Sequence, residues 1–225
     1  MLEAVIFDLD GVLIDSEQVW ASAREQLVRE RGGTWRPDAV RRMMGMSSPE
    51  WSRYMHDELG VAMAPEEIAR QVVRRLEGLY RERLPLLPGA RDAVSSLAKH
   101  WRLGLASSAN RPIIDLVLEL ADMRAFFAAT VSGEEVARGK PAPDVYLEAA
   151  RRLGAAPARC SAIEDSSNGL RAAHAAGMLL IAVPNRDFPP EADALGLADV
   201  TIASLEQLRP ELLNRLPLRE IDPRD

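Results

Sequence analysis

Four apolar residues, Ala4-Val5-Ile6-Phe7, run without a break into Asp8-Leu9-Asp10-Gly11, and this stretch limits the possible folds more than any other. A strand with no polar residue alternating through it must be covered on both faces, as in the middle of a parallel sheet flanked by helices. It also delivers two carboxylates to its carboxyl end. Buried paired acids are costly unless a cation or a shared proton offsets the charge. Gly11 lets the backbone turn sharply and approach a ligand closely. The pattern points to a Mg²⁺-supported site in which Asp8 is a nucleophile and Asp10 carries a proton. A calcium loop does not fit. Such a loop follows a helix and has its Gly at the sixth position, whereas here a strand precedes and the Gly is fourth.

With 225 residues the chain can bury one good core and carry a smaller second domain. No apolar run approaches the ~20 residues of a bilayer span. The net charge of −6 lacks the excess of basic groups that a nucleic-acid partner demands. The expectation is a cytoplasmic protein without nucleic-acid or membrane partners, a monomer or weak homodimer acting on a small molecule. The single Cys160 excludes an intrachain disulfide, and its place at the head of an apolar run marks it as a buried residue. Arg supplies 26 of the 28 basic residues, Lys only Lys99 and Lys140. In such a chain a Lys suggests that a compact point charge is needed, which draws attention to Lys140.

From Asp15-Ser16 to about Tyr80 the pattern is helical throughout. Asp15 with Gln18 has the spacing of a capping box, and Val19, Trp20, Ala23 and Leu27 share one face of the helix that follows. A second helix carries Val40, Met43 and Met44. A third opens on Ser47 and Glu50, again at capping-box spacing, and presents Trp51, Tyr54, Met55 and Leu59. A fourth begins at Pro65 and turns Ile68, Val72, Leu76 and Leu79 inwards. Two prolines and a glycine in Leu84-Pro85-Leu86-Leu87-Pro88-Gly89 then mark a boundary. Beyond it, strands near 103–106, 129–131, 161–163, 179–183 and 200–202 alternate with helices, the signature of βαβ units. The expected architecture is α/β, a Rossmann-like parallel-sheet core of residues 1–15 and 84–225 with an inserted four-helix cap of residues 16–83. The tail after about Pro217 is polar and expected to fray.

Ligands of open parallel sheets bind at the carboxyl ends of the strands. Those ends supply, in order, Asp8 and Asp10, Ser107, Lys140 one loop past the third strand, and Glu164-Asp165. This inventory suits phosphoryl transfer. Asp8 would attack phosphorus, and Asp10 would protonate the leaving oxygen and then deprotonate water. Lys140 and Ser107 would hold the equatorial oxygens. Asp8, Asp10, Glu164 and Asp165 would supply oxygen ligands to Mg²⁺ alongside a backbone carbonyl. Plainer readings stand beside these. Ser107-Ser108 could cap the next helix, Lys140 could be a solvated loop charge, and Glu164-Asp165 could be an acidic helix start. His56, His100 and His174 lie in helical stretches away from every strand end and are assigned to the surface.

Asp8-Leu9-Asp10-Gly11-Val12-Leu13-Ile14-Asp15-Ser16-Glu17, Ser107-Ser108, Gly139-Lys140-Pro141-Ala142-Pro143-Asp144 and Glu164-Asp165-Ser166 with Gly169 together resemble the haloacid dehalogenase superfamily. The branch is the one similar to β-phosphoglucomutase and small sugar-phosphate phosphatases. The resemblance spans essentially the whole chain. It implies a capped Rossmann-like core, Mg²⁺ and an aspartyl-phosphate mechanism. Dehalogenases of the superfamily lack the second Asp, so Asp10 speaks against halide displacement. Mutases of the branch carry a His and an Arg where this chain has Trp20 and Ser48, which favours hydrolysis over phosphosugar transfer. Arg41, Arg42 or Arg53 could supply that charge from elsewhere on the cap. Substrate contacts are expected from Gly11, Glu17, Trp20, Met46, Ser47, Ser48, Ser108, Asn110 and Arg111, with Trp20 either stacking on a ring or packing in the core. A non-catalytic phosphate-binding relative is the remaining alternative.

Overall fold

A computed structural model describes residues 1–44 and 46–217; the tail expected to fray lies almost entirely outside the described residues. The apolar run forms β1 (Ala4–Phe7), buried along its whole length. Four helices follow: α1 (Glu17–Glu30), α2 (Ala39–Met43), α3 (Ser48–Asp57) and α4 (Pro65–Glu82). Then come α5 (Ala90–Leu97), β2 (Arg102–Ser107), α6 (Arg111–Leu120), β3 (Phe127–Ser132), α7 (Asp144–Leu153) and β4 (Cys160–Glu164). The described chain closes with α8 (Ser167–Ala175), β5 (Leu179–Ala182), α9 (Ala192–Leu195), β6 (Val200–Thr201) and α10 (Pro210–Arg215).

All six strands pair in parallel, in the order β3-β2-β1-β4-β5-β6. This is the doubly wound order, in which the chain builds outward from β1 on one side and then crosses to the other. The crossing leaves a crevice between the carboxyl ends of β1 and β4, where successive connections depart in opposite directions. Register places Phe7 opposite Ile163, so the residues that follow each strand, Asp8 on one side and Glu164-Asp165 on the other, meet at that crevice.

Strand periodicity explains the layering. Val5 and Phe7 point into one apolar cluster and Ala4 and Ile6 into the other, so a short uninterrupted apolar run serves both faces. The first cluster continues through Leu9 and Val12–Ile14 into the inner faces of α1, α3 and α4. The second is built on small residues of α7 and α8, among them Ala149, Ala150, Ala172 and Ala173.

Helix starts follow the sequence signals in part. Ser47 N–H and Oγ–H both donate to the Glu50 carboxylate (2.7 and 2.6 Å), so the expected capping box closes α3. Pro65 occupies the first turn of α4. The box expected at Asp15 and Gln18 does not form. Ser16 stands at the N-cap of α1 without capping it, because its hydroxyl is drawn to Asp10 instead. His56, His100 and His174 are exposed, and Cys160 is buried, its thiol pushed up to about 12 by desolvation. No helix of the described residues is long and apolar enough to cross a membrane.

Phe7 is fully buried and meets Phe127 edge-on at 6.1 Å between ring centroids. Phe7→Ala should therefore lower stability by about 3–5 kcal/mol, read from urea unfolding, through lost burial and the cavity left behind.

Candidate active site

Asp8 leaves β1 nearly buried, and its Oδ1 accepts from Lys140 Nζ at 2.6 Å. The same ammonium donates to Glu164 Oε1 at 2.5 Å, so one Lys bridges the ends of β1 and β4. Glu164 is saturated. Its Oε1 also accepts from Tyr146 Oη at 2.8 Å, and its Oε2 accepts from Asp165 N, Ser166 N and Ser166 Oγ. Lys140 further lies 4.9 Å from the Tyr146 ring centroid. Burial alone would lower the pKa of this ammonium, yet Asp8 and Glu164 together raise it above the ordinary lysine value.

The carboxylates outnumber the cation. Asp8, Glu164 and Asp165 place ligand oxygens within 4.8 Å of one another, all three residues buried, with only Lys140 to balance them. Burial pushes Asp8 up to about 8, against the pull of Lys140, with Glu164 and Asp10 adding to the rise. Asp165 is driven upward by burial and then by Glu164 and Asp8. Its Oδ1 is buried without a hydrogen-bond partner. A divalent cation would supply both the missing charge and the missing contact, and hard carboxylate oxygens suit Mg²⁺, so the residues fit the ion.

Two glycines make this approach possible. At Gly11 (φ +77°) a Cβ would fall 1.9 Å from Asp165 Oδ2, and at Gly169 it would fall 1.8 Å from Glu164 Oε1. Any side chain at either position would displace a carboxylate.

Asp10 stands apart from the acidic group. Its Oδ1 accepts from Ser16 Oγ (2.5 Å) and from Trp20 Nε1 (3.1 Å), both at the start of α1. Burial raises its pKa, opposed by those two hydrogen bonds. The Asp10 carboxylate, expected to join Asp8, Glu164 and Asp165 around a metal, is engaged by Ser16 and Trp20 and is not among the three acids whose oxygens cluster.

A cavity of ≈ 290 Å³ opens above these groups, with Asp8, Asp10, Lys140 and Asp165 on its wall. Glu17, Trp20, Met46, Ser48 and Ser108 line it as expected. Other expected residues are placed differently. Ser107 is fully buried, and its Oγ accepts from Ala109 N–H at 3.0 Å, shaping the turn that brings Ser108 and Ala109 to the wall. Ser47 is used up in its capping box. Glu164 lies behind Lys140, and Gly11 behind Asp165. Asn110 is buried between Ser48, whose Oγ donates to its Oδ1 at 3.0 Å, and Glu134, which accepts from its Nδ2. Arg111 is tied to Glu135 and Thr130 rather than to the cavity.

Trp20 neither stacks openly nor packs as plain core; it is a hydrogen-bond donor to Asp10 with its ring against Trp51 (6.0 Å). Arg24, one turn later on α1, sets its guanidinium against both indoles, 4.7 and 4.9 Å from their centroids. Such contacts contribute about 0.5–2 kcal/mol each when desolvated. Neither Arg24 nor Arg171, which also faces the cavity beside the Phe188–Glu191 loop, follows from the sequence. Arg41 reaches the cavity too; Arg42 instead lies over the Tyr54 ring. A helical Arg reads as a solvated charge, and only its i+4 spacing from Trp20 hints otherwise.

These features define a doubly wound hydrolase fold with an acidic, lysine-bridged site at its switch point. The model of the haloacid dehalogenase-like hydrolases matches residues 2–177, and the chain belongs to that family. It is 37% identical to hexitol phosphatase B of Escherichia coli over 91% of this chain and 93% of the relative. It is 32% identical to a phosphorylated carbohydrates phosphatase of Thermotoga maritima, over 79% and 82% of the two chains. Among solved structures it is similar to CbbY from Rhodobacter sphaeroides in complex with phosphate, with a TM-score of 0.83 at 29% identity, covering 92% and 96%.

Tyr146→Phe should cost about 1.5–3 kcal/mol by removing one hydrogen bond to a buried carboxylate. Because Lys140 and the Ser166 groups keep Glu164 in place, the melting curve should shift without losing cooperativity.

Proposed function

We propose that this protein is a Mg²⁺-dependent phosphatase that hydrolyses a small phosphorylated sugar or polyol through an aspartyl-phosphate on Asp8. The observation that carries the reading is Lys140 bridging Asp8 and Glu164 beside an Asp165 oxygen with no partner. The named activities of the hexitol and phosphorylated carbohydrates phosphatases support it. Asp8 and Asp165, with Glu164 in the same acidic group, would hold the cation. Bound there, it would neutralise the carboxylates and stabilise charge on the phosphoryl oxygens.

Asp8 attacks phosphorus, and the bond to the ester oxygen breaks as Asp10 gives that oxygen its proton. Water then attacks the phosphorus and returns a proton to Asp10. The Asp8–phosphorus linkage breaks and the carboxylate is restored. Burial favours the protonated form of Asp10 that the first step needs, while Ser16 and Trp20 fix the group on the cavity wall. Lys140 and Ser108 are placed to hold the equatorial oxygens. Hydrolysis fits better than transfer between sugar positions: Trp20 is engaged with Asp10, and Ser48 with Asn110.

In the same proposal, residues 16–83 are a cap over the sheet-bearing remainder. The two connections pair with each other, Asp15 N–H donating to Pro85 O at 2.8 Å and Leu87 N–H to Leu13 O at 3.0 Å, a narrow double hinge. The buried Ser48–Asn110 hydrogen bond joins α3 to the loop after β2 and would latch the closed form. We place the enzyme in the cytoplasm, as a monomer or weak homodimer, with the unpaired Cys160 and the net charge of −6 in support.

Phosphate release from sugar, polyol and aryl phosphates, measured with Mg²⁺ and with chelator, tests the reading. Asp8→Asn should reduce release by at least about 10³-fold with the fold intact, and chelation should abolish it. Release that survives either treatment would overturn the mechanism. Ser48→Ala, which removes the latch, should lower kcat/KM roughly fivefold while leaving the melting temperature within a few degrees of the parent's.

A further inference from the structure

Arg24 is the one buried guanidinium on the cavity wall that no acceptor meets. Its residue is only 6% exposed, its Nε has no hydrogen-bond partner, and among the described residues it forms no ion pair. The guanidinium rests against the notch formed by the Trp20 and Trp51 rings, so its polar contacts must be made on the side away from them. Leaving such donors unmet is costly, and a guanidinium offers five of them in a fixed fork. Glu17 and Trp20 share its helix face at helical spacing, and all three residues line the cavity. The cavity wall therefore presents an acceptor-bearing carboxyl and a donor fork on one helix face.

We propose that Arg24, packed against Trp20 and Trp51, determines specificity by hydrogen-bonding hydroxyl groups on the carbon chain of a polyhydroxy phosphate, with Glu17 as its complement. The inference rests on the phosphatase reading above and adds to it which part of the substrate is read and by what. A hydroxyl both donates and accepts, so neighbouring hydroxyls satisfy Arg24 and Glu17 together. A second anionic group would gain Arg24 but would face Glu17 and Asp10, both on the same wall. The exposed Arg41 is screened by solvent and does not reverse that balance. That packing matters because a guanidinium already set against two rings loses little freedom when the substrate arrives.

The test compares a hexitol phosphate with p-nitrophenyl phosphate, whose leaving group has no hydroxyls besides the ester oxygen, and with 6-phosphogluconate, which adds a carboxylate. Arg24→Gln and Arg24→Met should raise KM for the hexitol phosphate roughly 10- to 100-fold. That loss should exceed the loss on p-nitrophenyl phosphate at least tenfold, with kcat moving much less than KM. Arg24→Lys keeps the charge and an aliphatic stem but lacks the fork. It should still show a raised KM, and it serves where the neutral variants fail to fold. Glu17→Gln should shift the preference among polyol phosphates more than the rate on the aryl ester. Equal losses on the hexitol and aryl esters in a folded variant would overturn the inference. So would a selective loss on 6-phosphogluconate, which would make Arg24 an anion reader. If the parent enzyme released phosphate from none of these compounds, the phosphatase reading itself would fall; activity in the parent with no effect at Arg24 would sink only the inference.

Discussion

The contact on which the site depends is a single ammonium held between two carboxylates of neighbouring strands. Lys140 bonds Asp8 at the end of β1 and Glu164 at the end of β4, and all three are withdrawn from water. A buried ion pair is seldom a net gain in stability, and here the third acid, Asp165, leaves the balance short of positive charge. Such a deficit persists only where the surrounding fold over-determines it. Both glycines that allow the approach, Gly11 and Gly169, sit where a methyl group would overlap a carboxylate oxygen. Glu164 accepts from five donors, Lys140 among them, so within the acidic group the oxygen left without a partner is Asp165 Oδ1. Under the proposed function, this is where a cation and the substrate's phosphate dianion would meet.

Strand order explains why that place is where it is. Only between β1 and β4 do the connections diverge, and only there can residues from two strand ends face one another without a crossing loop above them. The helices inserted after β1 contribute Trp20, Arg24, Ser48 and Trp51 to the cavity there. They share an apolar cluster with the sheet through Leu9 and Val12–Ile14.

The sequence made the sheet, the inserted helices and most strand ends legible, because apolar runs and glycine–proline boundaries are local signals. Asp8, Asp10, Lys140 and Asp165 were readable for the same reason: each lies at or near a strand end. Residues whose partners are distant in the chain were harder to place. Ser107 reads like a phosphoryl ligand, but the turn after β2 uses its hydroxyl and turns Ser108 to the cavity instead. Ser47 has two plausible uses, and the capping box takes it. The Asp10 carboxylate shares a motif with Asp8 yet is claimed by Ser16 and Trp20. Arg24 was invisible because its meaning depends on Trp51, which sits on another helix.

Helix α1 unites what the chain order separates. Its start carries Ser16 and Trp20 to the Asp10 carboxylate, and the same Trp20 ring meets the Arg24 guanidinium one turn further on. One indole thus touches both the proposed proton carrier, through Nε1, and the proposed substrate reader, through its face. A rotation of α1 that misplaced Arg24 would also draw Trp20 from Asp10. Under the proposed function, proton delivery is therefore geometrically tied to the presence of the helix face that meets the substrate's carbon chain. Binding contacts remote from phosphorus can then support the chemical step, since the energy they release goes into holding the proton carrier where the ester oxygen leaves.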